Sequence, residues 1–195
     1  MITLVFIRHG ATKGNLEKRY IGRTDEPLCD AGIGQALELK AHEFPGEHIF
    51  VSPMKRTRQT AELVFPGSEY VIVEGFKEMD FGDFEGKCYS ELSGNEDYRI
   101  WLNSMCTTPV PNGESVTGFK ERCVEAFKSI VRSLPDGSEA SFVVHGGVIM
   151  AVLEAFAEPK SAFYDNHIKN GEFLVCKYKN GKITIYARDR QGMRL

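Results

Sequence analysis

Two histidines of this 195-residue chain share one local setting: an apolar run, the imidazole, then glycine. The first is Ile2-Thr3-Leu4-Val5-Phe6-Ile7 leading into Arg8-His9-Gly10. The second is Ala140-Ser141-Phe142-Val143-Val144 leading into His145-Gly146-Gly147. Histidine is a nucleophile near neutral pH. Arginine holds an oxyanion in a bidentate fork, and glycine lets the backbone pass close to a ligand. A third segment, Ser52-Pro53-Met54-Lys55-Arg56, carries another arginine into the first turn of a predicted helix. A fourth, Glu78-Met79-Asp80-Phe81-Gly82-Asp83-Phe84-Glu85-Gly86, is rich in carboxylates. These residue types predict a phosphate group held and attacked at the edge of a sheet.

Such chemistry needs strands that end at one place. Residues 2–7, 49–51, 70–73 and 140–144 are short apolar runs of the kind found in buried parallel strands. Open α/β sheets put their ligand crevices at the C-terminal ends of such strands. Helices are predicted between them. Residues 31–43 follow Asp30 as N-cap, with Ile33, Ala36, Leu37 and the stem of Lys40 on one face. Residues 54–64 follow Ser52-Pro53. Residues 115–133 repeat Val116, Phe119, Cys123, Phe127, Ile130 and Val131 with a helical period and stop at Leu134-Pro135-Asp136-Gly137. Residues 147–156 read as a buried helix, and Asn180-Gly181 between two apolar runs reads as a hairpin. The pattern predicts a three-layer α/β/α sandwich, its sheet mostly parallel with an antiparallel edge strand. One domain is expected over 1–195, with a lid-like excursion at about 76–113 that is rich in Gly, Asp and aromatic residues.

In this order the segments resemble the histidine phosphatase superfamily, the phosphoglycerate-mutase-like proteins. Arg8-His9-Gly10-Ala11-Thr12 with Asn15 is similar to its opening motif, R-H-G-E-T-x-x-N. Gly22 to Ala36 resembles the next block, and Ser52 to Ala61 resembles S-P-L-x-R-A-x-Q-T-A. Glu78 to Gly86 resembles E-x-x-F-G-x-W-E-G. Pro111-Asn112-Gly113-Glu114-Ser115 and His145-Gly146-Gly147 complete the set. Ala11 stands where the family commonly has Glu and Phe84 where it commonly has Trp; either change alters the expected pocket wall.

The resemblance implies that His9 becomes a phosphohistidine, with Arg8, Arg56 and a positively charged or donating His145 neutralising the phosphate. The second ring nitrogen of His9 should donate to a backbone carbonyl. Glu78 is implied as the acid that protonates the leaving oxygen, with Asp80, Asp83 and Glu85 as competitors in the same loop. Asn15, Gly22, Gly146 and Trp101 are expected to bind substrate. No cofactor and no metal are expected, because the arginines carry the positive charge. Within the superfamily, the 77–85 block, Trp101 and Pro109-Val110-Pro111-Asn112-Gly113-Glu114 most resemble alpha-ribazole phosphatases. An arginine pair that mutases carry between 87 and 113 is missing; Phe84, Tyr89, Tyr98 and Trp101 offer faces for a flat heterocycle or pack the lid. Alpha-ribazole 5′-phosphate is thus the leading substrate. The alternatives are a phosphoglycerate mutase, a sugar-bisphosphate phosphatase, or a non-catalytic binding module on the same fold. Arg19 and Arg23 are open between substrate contact and solvent, and His42, His48 and His167 read as structural or exposed.

Composition narrows the partners. Lys and Arg total 24 against 27 Asp and Glu, a net charge of −3, and no basic run suits nucleic acid. The first apolar run is too short for a membrane span or a signal core. Five irregularly spaced cysteines read as reduced thiols of a cytoplasmic protein. The expected partner is a small-molecule phosphate ester, and a homodimer is among the oligomeric states left open.

Overall fold

A computed structural model describes residues 1–188. Its strands are β1 (Ile2–Arg8), β2 (His48–Val51), β3 (Val71–Ile72), β4 (Glu139–Val144), β5 (Phe173–Lys179) and β6 (Lys182–Arg188). Its helices are α1 (Lys13–Leu16), α2 (Asp30–Lys40), α3 (Lys55–Val64), α4 (Tyr89–Leu92), α5 (Glu96–Asn103), α6 (Val116–Ser133) and α7 (Gly146–Phe156). The strands form one sheet in the order β3-β2-β4-β1-β5-β6. β1, β2, β3 and β4 are mutually parallel; β5 runs antiparallel to β1 and forms the expected hairpin with β6.

Alternation along β1 divides the core. Val5 and Ile7 face a layer built with Ala36 and Leu39 of α2 and Ala61 and Val64 of α3. Leu4 and Phe6 face the other layer, with Phe119, Cys123 and Phe127 of α6 and Val148, Val152 and Leu153 of α7. The predicted α/β/α sandwich is therefore observed. Among the described residues no helix is long and apolar enough to cross a membrane. All five cysteines are free thiols, and burial pushes those of Cys123 and Cys176 up to about 12.

Three local expectations need correction. Asp30 is not the N-cap of α2; Cys29 is, and Asp30 occupies the first turn. The buried face of α2 is Gly32, Ala36 and Leu39, while Ile33 and Leu37 are exposed. Gly32 lies so close to the backbone at Gly10 and Ala11 that a Cβ on Gly32 would overlap the Ala11 carbonyl. That approach turns the helix and overrides the hydrophobic count. The 70–73 run is not a buried strand: β3 is two residues long, at the sheet edge, with both side chains exposed.

Candidate active site

Register brings the two histidines together. Ile7 pairs with Val143 and Arg8 with Val144, so the next residue of each strand is His9 or His145. Their ring centroids lie 5.0 Å apart at 69°. The Ser52 N–H donates to Val143 O at 3.2 Å, which ties the end of β2 to the same place.

His9 is 3% exposed. Its Nδ1 lies 2.7 Å from the Gly10 carbonyl. A carbonyl only accepts, so Nδ1 holds the proton and Nε2 keeps its lone pair. Burial first, then Arg56 and Arg8, hold the ring well below its usual pKa. His145 takes the opposite tautomer. Its Nδ1 accepts from Arg56 Nε at 3.3 Å, so its Nε2–H donates to Ser52 Oγ at 2.7 Å. Burial, followed by Arg56, His9 and Arg8, keeps it neutral too. Of the two states expected of His145, positively charged or donating, this geometry fits the donating one, and the ring N–H is aimed at Ser52.

Arg56, in the first turn of α3, is fully buried. Besides His145 it donates to Thr24 O at 2.8 Å, Gly22 O at 3.0 Å and Ile21 O at 3.4 Å. Gly22 thus holds Arg56, and its own N–H donates to Glu85 Oε1 at 2.8 Å. Arg8 donates through Nη1 to Ile168 O at 2.7 Å, while its buried Nε has no partner among the described residues.

Glu78 reaches the start of α7. Gly147 N–H donates to Glu78 Oε2 at 3.1 Å, and Met79 N–H to Oε1 at 2.9 Å. A Cβ at Gly147 would overlap Glu78 Oε1, so only glycine leaves room for the carboxylate against the helix N-terminus. Asp80 instead caps its own turn through Gly82 N–H and pairs with Arg23 at 3.3 Å; Asp83 accepts from Asn112, and Glu85 from Gly22 and Thr24. Of the four carboxylates in the loop, only Glu78 lines the cavity described next.

That cavity has a volume of about 300 Å³. Arg8, Asn15, Glu78, Gly146 and Trp101 all line it, together with Ile21, Met79 and Phe119. His9, Arg56 and His145 are buried next to these groups, outside its lining, and Gly22 does not line it either. Of the four aromatics singled out in the excursion, Trp101 alone reaches the cavity. Phe84 and Tyr98 are buried behind it, and Tyr89 is exposed. Phe84 and Ala11 are likewise absent from the wall, and Phe84 bears on it only through Trp101, whose ring lies 5.6 Å away. The remaining aromatic wall comes from Tyr20, Phe81, Phe119, Phe163 and Tyr164. Arg19 also lines it, but is tied to Glu17 and Glu91 at 2.6 Å each.

Four residues to which the sequence assigned no role in the site belong to it or support it. His167 is a wall residue whose Nε2 lies 3.2 Å from Arg8 Nη1, and burial followed by Arg8 lowers its pKa. Asn170 donates to His9 O and to Asn15 Oδ1, both at 3.1 Å. Ser52 accepts the His145 Nε2–H that the Arg56 contact to Nδ1 leaves protonated. Arg122 bonds the Glu114 carboxylate and the carbonyl of Glu78. The signal for Asn170 lay in topology: β5 starts beside the end of β1, where Gly171 N–H meets Arg8 O at 3.1 Å.

A mostly parallel α/β sheet with two histidines, two arginines and a glutamate gathered at the C-terminal ends of its parallel strands defines a class. The chain belongs to the histidine phosphatase superfamily (branch 1), whose family model matches residues 4–189. It is an enzyme of the phosphatase class. Among its relatives, the adenosylcobalamin/alpha-ribazole phosphatase of Salmonella typhimurium is 30% identical over 189 residues, 93% of each chain. The Escherichia coli protein named probable phosphoglycerate mutase GpmB is 32% identical over 152 residues, 75% of this chain and 70% of that one. The crystal structure of the alpha-ribazole phosphatase from Shigella flexneri superposes with a TM-score of 0.84 at 25% identity, covering 96% of each chain.

Proposed function

We propose that the protein hydrolyses a small phosphate monoester through a phosphohistidine on His9, with alpha-ribazole 5′-phosphate as the leading substrate. The observation that carries this reading is the His9 tautomer: Nδ1–H is bound by Gly10 O, and Nε2 is left neutral and nucleophilic beside two arginines. Nε2 attacks phosphorus in line, and the ester P–O bond breaks as Glu78 gives its proton to the leaving oxygen. Water then attacks the phosphohistidine, returns a proton to Glu78 and releases phosphate. Arg8 and Arg56 stabilise charge on the non-bridging oxygens. Asn15 has its oxygen occupied by Thr12 N–H and Asn170, which leaves its amide N–H groups to donate. Gly146, where a Cβ would crowd the Arg8 guanidinium, lets that fork approach the start of α7 closely.

The cavity supports a flat, largely apolar body on one anionic end. Its wall is mainly aromatic and aliphatic, and residues 76–113 supply Glu78, Met79, Phe81 and Trp101 to it as a lid. A mutase reading is favoured by the likeness to GpmB. It requires a cation for a second acidic group, and Arg19 is already neutralised by two carboxylates. Rapid quench with substrate is expected to trap acid-labile, base-stable phosphate on the wild-type chain and none on His9→Ala. Hydrolysis of a nucleoside-like aromatic monoester should outpace interconversion of 2- and 3-phosphoglycerate. Undiminished turnover by His9→Ala overturns the intermediate, and mutase turnover above hydrolysis overturns the substrate class.

A further inference from the structure

Arg122 lies on α6, outside the cavity wall, yet it is bound to the segment that carries Glu78. A guanidinium has five N–H donors, and each has an acceptor here. Nε and Nη2 grip the Glu114 carboxylate as a fork at 2.6 and 2.8 Å. Nη1 donates to Gly75 O at 2.9 Å and Lys77 O at 2.7 Å, and Nη2 also to Glu78 O at 3.1 Å. One turn earlier, the Phe119 ring packs under the guanidinium at 4.9 Å.

Residues 77–81 are neither helix nor strand, so no ladder fixes their carbonyls. Arg122 takes the place of that ladder. Glu114 is itself fastened to the loop, its N–H donating to Asp80 O at 2.9 Å. Glu78 is therefore held at two points: its carbonyl by α6 through Arg122, and its carboxylate by α7 through Gly147.

We propose that Arg122, oriented by Glu114, is the positioning residue that sets the Glu78 carboxyl for proton transfer to the leaving oxygen. The proposal rests on Glu78 being the acid. A proton donor works only within about 2.6–3.2 Å of its target, and a misplacement of about 1 Å costs about 10²-fold. Lysine cannot substitute fully, because its three donors radiate from one atom and cannot span a carboxylate and three carbonyls.

The test uses the full chain under single turnover, with an alkyl phosphate and with p-nitrophenyl phosphate, whose leaving group needs no proton. Arg122→Met is expected to slow phosphorylation of His9 by the alkyl ester about 10–100-fold, and by the nitrophenyl ester no more than about threefold. Combined with Glu78→Gln it should add no further loss. Arg122→Lys should recover part of the rate, and Glu114→Gln should show a smaller loss of the same sense. These two milder variants carry the comparison if Arg122→Met does not fold. Equal slowing of both esters, or losses that multiply with those of Glu78→Gln, would reduce Arg122 to a structural residue and leave the acid in place. Glu78→Gln slowing both esters equally would remove the acid itself, and this proposal with it.

Discussion

Arg8 and Arg56 flank the same histidines, but their donors face different demands. Arg56 gives hydrogen bonds to three backbone carbonyls and to His145, so much of its fork is committed to the protein. Arg8 bonds one carbonyl and His167 through Nη1, and its buried Nε has no partner among the described residues. A buried donor left unmatched costs about 1–3 kcal/mol, an expense that a bound oxyanion relieves. The two arginines should therefore fail differently. Arg56→Lys strips several buried carbonyls of their partner and is expected to cost about 2–4 kcal/mol of folding stability as well as activity. Arg8→Lys should change stability by less than about 1 kcal/mol and weaken competitive inhibition by inorganic phosphate or vanadate about 10–100-fold, the worth of a charge-assisted bidentate contact. Denaturant melts and inhibition constants measured side by side check this. Equal stability losses in the two variants would contradict the division of labour.

At the scale of elements, the site is a junction of strand ends and one helix N-terminus. The register of β1 with β4 aligns His9 with His145, and α7 begins directly after His145. Its second residue, Gly147, is where the Glu78 carboxylate rests. Gly147→Ala is expected to leave α7 intact, since alanine favours helix over glycine by about 1 kcal/mol. The new methyl would push the carboxylate off the helix end and slow alkyl-ester hydrolysis about 10²-fold. Unchanged kcat in a folded Gly147→Ala protein would show that this seat is irrelevant. The elements that present chemistry were legible in the sequence because each is a local pattern, an apolar run ending in Arg-His-Gly or His-Gly-Gly. The face of α2 was not. Its orientation follows from a backbone contact between Gly32 and Ala11, distant in sequence, and counting apolar residues put exposed Ile33 and Leu37 inside. Likewise β3 is an edge strand, and edge or centre is decided by sheet order rather than by composition.

The whole molecule adds what no single segment encodes. The antiparallel placement of β5 beside β1 brings Asn170 to His9 and the preceding turn brings His167 to Arg8, from residues about 160 positions away in the chain. Arg122 reaches Glu78 only because α6 packs under an irregular loop. The same assembly buries two histidines in neutral form, and this links the site to global stability. In the unfolded chain both titrate near 6.5. In the fold both pKa values are lowered, by burial first and by the arginines next. Below about pH 6.5 the unfolded state therefore binds more protons than the folded one, and stability falls as pH falls. The contribution is whole above the unfolded value and is lost progressively toward the folded values. Each histidine adds about 1.4 kcal/mol per pH unit within that window, about 2.7 kcal/mol for the pair. Urea unfolding between about pH 6 and about pH 5, above most carboxylate titration, should show this slope. His9→Asn and His145→Gln should each remove a share of it; His167, whose pKa is also lowered, adds to it with the same sign. A pH-independent stability across this window in the unliganded wild type would mean that the two rings are not held neutral, and the tautomers assigned to His9 and His145 would fail with it.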